Sequence, residues 1–328
     1  MLIAILWAVV AAAAMLSLVV GPAPLSAGEV FGAFLGRGSD VTQIIVWDLR
    51  APRAALALMI GATMAMSGAA LQGQARNPLA SPEILGASSF AALGAVLAMY
   101  SGASMAFPLA LPLSAIFMSG VSVAVLILLA GRDSRILTLV LAGMALSSLA
   151  AALTSLALSL SPNPFAVSEI AFWLLGSLAN RSSDHLMLAA PFMLASWALL
   201  ICDRKTLLAL TLGDDVARTL GVDVRRAQLR LMLAVAMGVG AAVAVSGVIG
   251  FVGLVIPHVV RPLARYDPAR LVVPSGLAGA ALLCLADCAT RLIPAAAEVR
   301  LGVLTALIGA PFFLFLVLRA RRGRPAFL

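Results

Sequence analysis

The stretch Gly68–Ser88, GAALQGQARNPLASPEILGAS, decides how the rest of the chain is read. It is the most polar interruption in the first third of an otherwise apolar sequence. Pro78 and Pro82 punctuate it, and Arg76, Asn77 and Glu83 sit close together within it. The runs on either side approach the length of a membrane-spanning helix, about 20 residues at 1.5 Å each. The interruption therefore reads as a polar connection between two spans.

Composition supports lipid as the solvent. Of 328 residues, 62% are hydrophobic and 11% charged, with a mean hydropathy of +1.09. A soluble domain is nearer half apolar and a quarter charged. The expected fold class is all-α, a polytopic membrane protein with ten transmembrane helices in a single domain over 1–328. The spans fall near 2–20, 51–73, 83–100, 107–130, 136–160, 186–202, 228–247, 250–264, 271–291 and 300–319. The first run has no basic n-region and has span length, so it reads as an uncleaved helix rather than a signal peptide. The eighth span is short and contains Pro257 and His258, so it reads as broken or tilted. "SAGEVFGAFLG" and "NPFAVSEIAFWLLGSL" suit amphipathic segments along the surface, with Trp173 at an interface.

The formal charge of +8 does not call for nucleic acid, because the basic residues cluster at the ends of apolar runs. With the N-terminus inside and alternating spans, all but six of the 22 Lys and Arg face the cytoplasm. The six are Arg37, Arg50, Arg53, Arg181, Arg291 and Arg300. The others include Arg76, Arg132, Arg135, the group from Arg204 to Arg230, Arg261, Arg265, Arg270 and the tail at Arg319, Arg321, Arg322 and Arg324. Both termini are thus expected in the cytoplasm.

An internal echo accompanies this topology. GATMAMSG (Gly61–Gly68) and GAAVAVSG (Gly240–Gly247) share G-A-x-x-A-x-S-G, and Pro78 and Pro257 follow at the same offset. The two copies run in opposite directions, as in inverted repeats, over halves of roughly 51–160 and 228–319. Small residues also recur at helix interfaces without duplication.

Chemistry-bearing residues are few. Cys202, Cys284 and Cys288 form no CxxC and read as packing residues. No cofactor or metal is expected. The sequence contains no G-x-x-x-x-G-K-[ST], so ATP would be hydrolysed by another subunit and the chain itself is not an enzyme. An ion-coupled secondary transporter is the alternative, with Asp287 as its carboxylate and His258 and Glu298 as further candidates. The segment Asp203–Arg230 is the largest hydrophilic one. Within it Gly213-Asp214 can start a short helix, DDVARTL continues it and Gly221 stops it. It fits a solvated loop, or a helix docking through Val216 and Leu220. Arg50 and Arg53, three residues apart, would share a helix face, with Arg291 at the same surface. They read either as interfacial snorkelling or as a basic patch for an acidic partner.

Taken together, "LRAPRAALALMIGATMAMSGAALQGQARNPLASPEILGASSFAALGA", "FWLLGSL", "LTLGDDVARTLGV", "SGVIGFVGLVIPHVVRPL" and "EVRLGVLTALIGAPFFLFLVLR" resemble the FecCD-type permeases. These are membrane subunits of bacterial ABC importers for iron-siderophores, haem and cobalamin. The resemblance implies an inner-membrane permease that pairs with a second permease chain, a homodimer or a related copy. It also implies two cytoplasmic ATP-binding subunits and a periplasmic substrate-binding protein. Residue by residue it implies a cytoplasmic gate at Asn77 and Leu79, and an ATPase-coupling helix over Gly213, Asp214, Asp215, Ala217, Leu220 and Gly221. Docking of the binding protein falls to Arg50, Arg53 and Arg291. Two motifs depart from the pattern. S-G-P-I-G-F reads Ser246-Gly247-Val248-Ile249-Gly250-Phe251. E-L-P-x-G-V reads Glu298-Val299-Arg300-Leu301-Gly302-Val303, losing a proline and adding a charge.

Overall fold

Backbone N–H and C=O groups at membrane depth need partners inside the protein, so apolar runs of this length fold as helices. The computed structural model describes residues 1–107, 109–130, 136–161, 163–294 and 298–321, and no strand occurs among them. Arg132, Arg135, Arg322 and Arg324, which enter the charge distribution above, lie outside the described residues.

The chain opens with α1 (Leu2–Val19), then the short α2 (Ala27–Phe34) and α3 (Asp40–Ile44). A π-helical turn (Ile45–Arg50) leads into α4 (Ala51–Ala75), and a 3-10 turn (Pro82–Leu85) into α5 (Ala87–Tyr100). Next come α6 (Ala103–Ala106), α7 (Ala110–Ala130), α8 (Ile136–Ser159), α9 (Pro164–Leu174) and α10 (Ser183–Cys202). The remainder is α11 (Arg204–Thr211), α12 (Asp214–Thr219), α13 (Val224–Ser246), α14 (Val252–Val260), α15 (Pro268–Leu292) and α16 (Leu301–Arg321). Local signals explain many of the boundaries. Ser26 and Glu29 form a capping box at α2, and Asn163 Oδ1 accepts from Phe165 N–H at 3.0 Å to start α9. Asp267 accepts from Ala269 N–H at 2.8 Å ahead of Pro268, which tolerates the first turn.

Among the described residues, seven helical stretches are long and apolar enough to cross a membrane: Leu2–Val19, Asp40–Ala75, Ala110–Leu129, Thr138–Ser159, Ser183–Cys202, Val224–Ser246 and Pro268–Leu292. Three expected spans differ. The span near 83–100 is a 14-residue helix because Pro82–Leu85 forms its own turn. The span near 250–264 is a nine-residue helix, since Gly247 and Phe251 adopt positive φ before it. The apolar part of α16 is Leu301–Leu316. Length and apolarity alone therefore do not reach ten.

Large apolar side chains lie both inside the bundle and on its outer surface, as expected where lipid is as apolar as the core. The most apolar stretches of α4, α13 and α15 are 83%, 78% and 72% buried, against 22% for α1 and α10, which places the first three at the centre. α1 turns Ile3, Ile5 and Trp7 outward. Close approach at the centre requires glycine. A side chain on Gly61 would strike the backbone of Gly279 in α15, and one on Gly68 the backbone of Gly253 in α14. Trp197 Nε1 donates to Thr63 Oγ1 at 2.8 Å, so this buried hydroxyl of α4 helps dock α10. Arg53 of α4 meets Asp287 of α15 at one end of the molecule, while Arg76 and Pro268 line one cavity at the other. These are the Arg53 end and the Arg76 end below.

Candidate functional site

At the Arg76 end, α4 stops because Arg76 takes a left-handed conformation, φ 48°. Asn77 N–H then donates to the Gln72 carbonyl at 3.2 Å. Leu79 N–H donates to Asn77 Oδ1 at 2.9 Å, and Ala80 N–H to the Asn77 carbonyl at 3.1 Å. Asparagine suits this place because its side chain mimics a backbone turn. The far half of the loop is pinned: Ser147 Oγ donates to the Glu83 carbonyl at 2.9 Å, and Ser122 Oγ to the Leu85 carbonyl at 3.1 Å. The tip is not. Among the described residues, Asn77 and Leu79 hydrogen-bond only within the loop and to the end of α4.

The base of the loop joins α14. Gln72 Nε2 donates to the Leu254 carbonyl at 3.3 Å, and Arg261 Nη2 donates to Gln72 Oε1 at 2.6 Å. Gln72, Arg76, Pro78, Thr211, Arg261 and Tyr266 line a cavity of about 460 Å³. Burial lowers the proton affinity of the Arg261 guanidinium.

The same end carries α12. Gly213 precedes it at φ 106° and Gly221 follows it at φ 82°, both conformations that favour glycine. The helix is six residues long, as its short polar sequence anticipates. Asp215 is almost fully exposed and pairs with Arg218 at 2.9 Å. Asp214 Oδ1 instead stands 3.8 Å from Arg76 Nη2. This ion pair connects the loop bearing Asn77 and Leu79 to the helix bearing Leu220. Sequence reading missed it; the only available signal was opposite charge at two distant positions.

Val216 and Leu220 are 44% and 61% exposed, so a one-turn apolar pair points away from the chain. Ala217 departs from the expected coupling face. It is fully buried and packs with Leu210, Val224 and Ala227. Its small side chain seats α12 on its own chain.

The Arg53 end holds the three arginines, but not as a free basic triad. Arg50 is 5% exposed; it donates to the Leu18 and Val19 carbonyls at 2.7 and 2.8 Å and to the Ala23 carbonyl. Arg53 donates to both oxygens of Asp287, at 2.9 to 3.1 Å, and pairs with Glu298. Arg291 pairs with Asp287 and donates to Ser17 Oγ at 3.0 Å and the Val20 carbonyl at 3.0 Å. The backbone is right-handed helical from Arg50 into α4, so Arg50 and Arg53 stand three residues apart on one helical run. Their side chains nonetheless reach two separate partner sets. A charge held near low dielectric needs a counter-charge or carbonyl ligands, and the fold supplies them.

Asp287, fully buried and shared by two guanidiniums, leaves the ion-coupled carrier without the carboxylate it needs. Among the described residues no three His, Cys, Asp or Glu side chains gather as metal ligands. Cys284 Sγ donates to the Ala13 carbonyl at 3.4 Å, tying α15 to α1.

Comparison with known proteins places this geometry in a lineage. The model of the FecCD transport family matches residues 9–319. The hemin transport system permease protein HmuU of Yersinia pestis is 38% identical over 85% of this chain and 85% of its own length. The Fe(3+) dicitrate transport system permease protein FecD of Escherichia coli K12 is 40% identical over 84% of this chain and 86% of its own. Among solved structures, a chain described as a metal-chelate type ABC transporter in an inward-facing conformation superimposes with a TM-score of 0.87 and 33% identity. That match covers 97% of this chain and 98% of the other.

Proposed function

The chain belongs to the FecCD transport family, and from that premise we propose that it forms the translocation pathway of a binding-protein-dependent ABC importer for an iron chelate. The observation that carries this reading is at the Arg76 end. A locally bonded loop, Asn77 to Leu79, stands beside a short helix whose Val216 and Leu220 face outward, and Arg76–Asp214 joins the two. Such a pairing suits a gate driven by a partner seated on α12.

Two copies, or this chain and a related one, face each other with their gate loops at the shared axis. Two ATP-binding subunits dock on α12 and hydrolyse ATP. A periplasmic binding protein delivers the ligand at the Arg53 end. Arg53 is the member of the arginine set that this partner contacts, exchanging Glu298, which is 27% exposed, for a partner carboxylate. Arg50 and Arg291 support it from below. The ten-span topology is completed by α5, α14 and α16, with α4 and α13 as equivalents in an inverted repeat. The N- and C-termini lie in the cytoplasm of a bacterial inner membrane. Relatives named for hemin and Fe(3+) dicitrate both carry iron chelates, which supports this substrate class. A siderophore is the first choice, with haem and then cobalamin behind it.

The test uses Leu79→Cys in a chain whose Cys202, Cys284 and Cys288 are replaced by alanine. A membrane-impermeant thiol reagent should reach position 79 in inside-out vesicles and not in right-side-out ones. A bifunctional reagent should join two copies, with a yield that changes when ATP and binding protein are both present. Labelling from outside contradicts the orientation, and a yield indifferent to both partners contradicts the gate.

A further inference from the structure

A second opening at the Arg76 end, a cleft of about 810 Å³, lies beside the first turn of α1. Its walls include Leu2 and Ile3 of α1 and Leu263 of the turn that follows α14. Its rim carries Arg204 and Lys205 from the start of α11, Arg265 from the 261–267 turn and Arg270 from the start of α15. Four cations from three separate chain segments thus converge on one place.

Their charge is poorly compensated. Arg270 pairs with Asp267 at 3.0 Å, and the neighbouring Asp203 is taken by Arg230 at 2.8 Å. Among the described residues no ion pair involves Arg204, Lys205 or Arg265, and all three are exposed. Basic residues at span ends ordinarily set topology and need no ligand. That reading does not account for an apolar wall. Here Ile3 and Leu263 are 49% and 59% exposed and continue the outward apolar face of α1, so the cleft is basic at its rim and apolar along its side.

We propose that this cleft binds an anionic phospholipid, its phosphate among Arg204, Lys205 and Arg265 and its first acyl carbons along Leu2, Ile3 and Leu263. Basic pockets between transmembrane helices recognise such headgroups, and arginine forks match phosphate oxygens in pairs. A free phosphate shares the headgroup chemistry but would leave the apolar wall unused.

The site is placed to influence the gate region. Arg265 and Tyr266 are consecutive left-handed residues, φ 56° and 59°, a conformation uncommon outside glycine. Arg265 lines the lipid cleft, and Tyr266 lines the neighbouring cavity beside Arg76 and Pro78. The same turn begins at Arg261, which holds Gln72 at the base of the gate loop. A headgroup on Arg265 therefore holds the turn that buttresses the gate.

The test is lipid retention by the full-length purified chain in native mass spectrometry, titrated with phosphatidylglycerol, phosphatidylcholine or inorganic phosphate. The unaltered chain should retain phosphatidylglycerol in preference to phosphatidylcholine. The combined Arg204→Gln, Lys205→Gln and Arg265→Gln variant should bind it on the order of a hundred-fold more weakly, about five-fold per charge. Arg226→Gln, whose side chain pairs with Asp223 away from the cleft, should bind it as before. If the combined variant does not assemble, rising salt on the unaltered chain gives the same answer, because it should strip phosphatidylglycerol and spare phosphatidylcholine. Equal retention by the combined variant, retention indifferent to salt, or no preference over phosphatidylcholine overturns the proposal. So does inorganic phosphate that displaces phosphatidylglycerol at equal concentration, since the site would then take the free anion.

Discussion

Asp287→Ala is expected to cost about 3–5 kcal/mol of stability, the usual penalty for removing one partner of a buried ion pair. The carboxylate is fully buried and serves two guanidiniums at once, with side-chain exposures of 14% for Arg53 and 3% for Arg291. Without it Arg291 keeps only hydroxyl and carbonyl partners on α1, and Arg53 keeps only Glu298. The network joins α1, α4, α15 and the segment entering α16, so its loss should loosen the whole Arg53 end. Glu298→Gln is the matched comparison. Its side chain is 27% exposed, so after discounting for solvent screening the loss should be about 1 kcal/mol or less. Thermal unfolding of the purified chain in detergent reads both. A variant of Asp287 as stable as that of Glu298 would show that the arginines do not depend on the buried carboxylate.

Leu220→Asp acts at the opposite end and on assembly rather than folding. Leu220 is 61% exposed, so an aspartate there meets solvent in the isolated chain and leaves its fold intact. Once α12 is seated on an ATP-binding subunit the same charge is buried against a partner. Losing an apolar anchor of this kind costs about 2 kcal/mol or more, roughly thirty-fold in affinity. The ATP-binding subunit should therefore be lost during purification, and binding-protein-stimulated hydrolysis with it. Asp215→Asn, on a side chain almost fully exposed, should do neither. Intact assembly and stimulated hydrolysis in Leu220→Asp would remove α12 from the coupling role. Ala217 is not a usable probe, because its buried side chain would report folding and docking together.

Some of this was legible in the sequence because local rules govern it. The long apolar runs and the glycines around α12 each depend on neighbours within a few positions. The arginine network was not legible, since Arg53 finds Asp287 and Glu298 at separations of 234 and 245 residues. Spacing placed Arg50 and Arg53 three apart on a helix, but it carried no signal of the carbonyls that Arg50 reaches or the carboxylates that Arg53 reaches. Ala217 and Leu220 could not be told apart because a six-residue helix is too short to show an apolar period. The eighth span was legible as short, but α14 runs through Pro257, and the interruption falls ahead of it at Gly247 and Phe251, whose positive φ leaves no mark on hydropathy.

The central claim, that this chain is the pathway of an ATP-driven importer, is tested most directly by uptake into sealed vesicles. The chain would be reconstituted with its ATP-binding subunit, with nucleotide inside and binding protein loaded with a radioactive ferric chelate outside. Accumulation of iron should require both hydrolysable ATP and the binding protein, and should persist when proton and sodium gradients are collapsed. Uptake that continues without ATP and stops when an ion gradient is collapsed would contradict it.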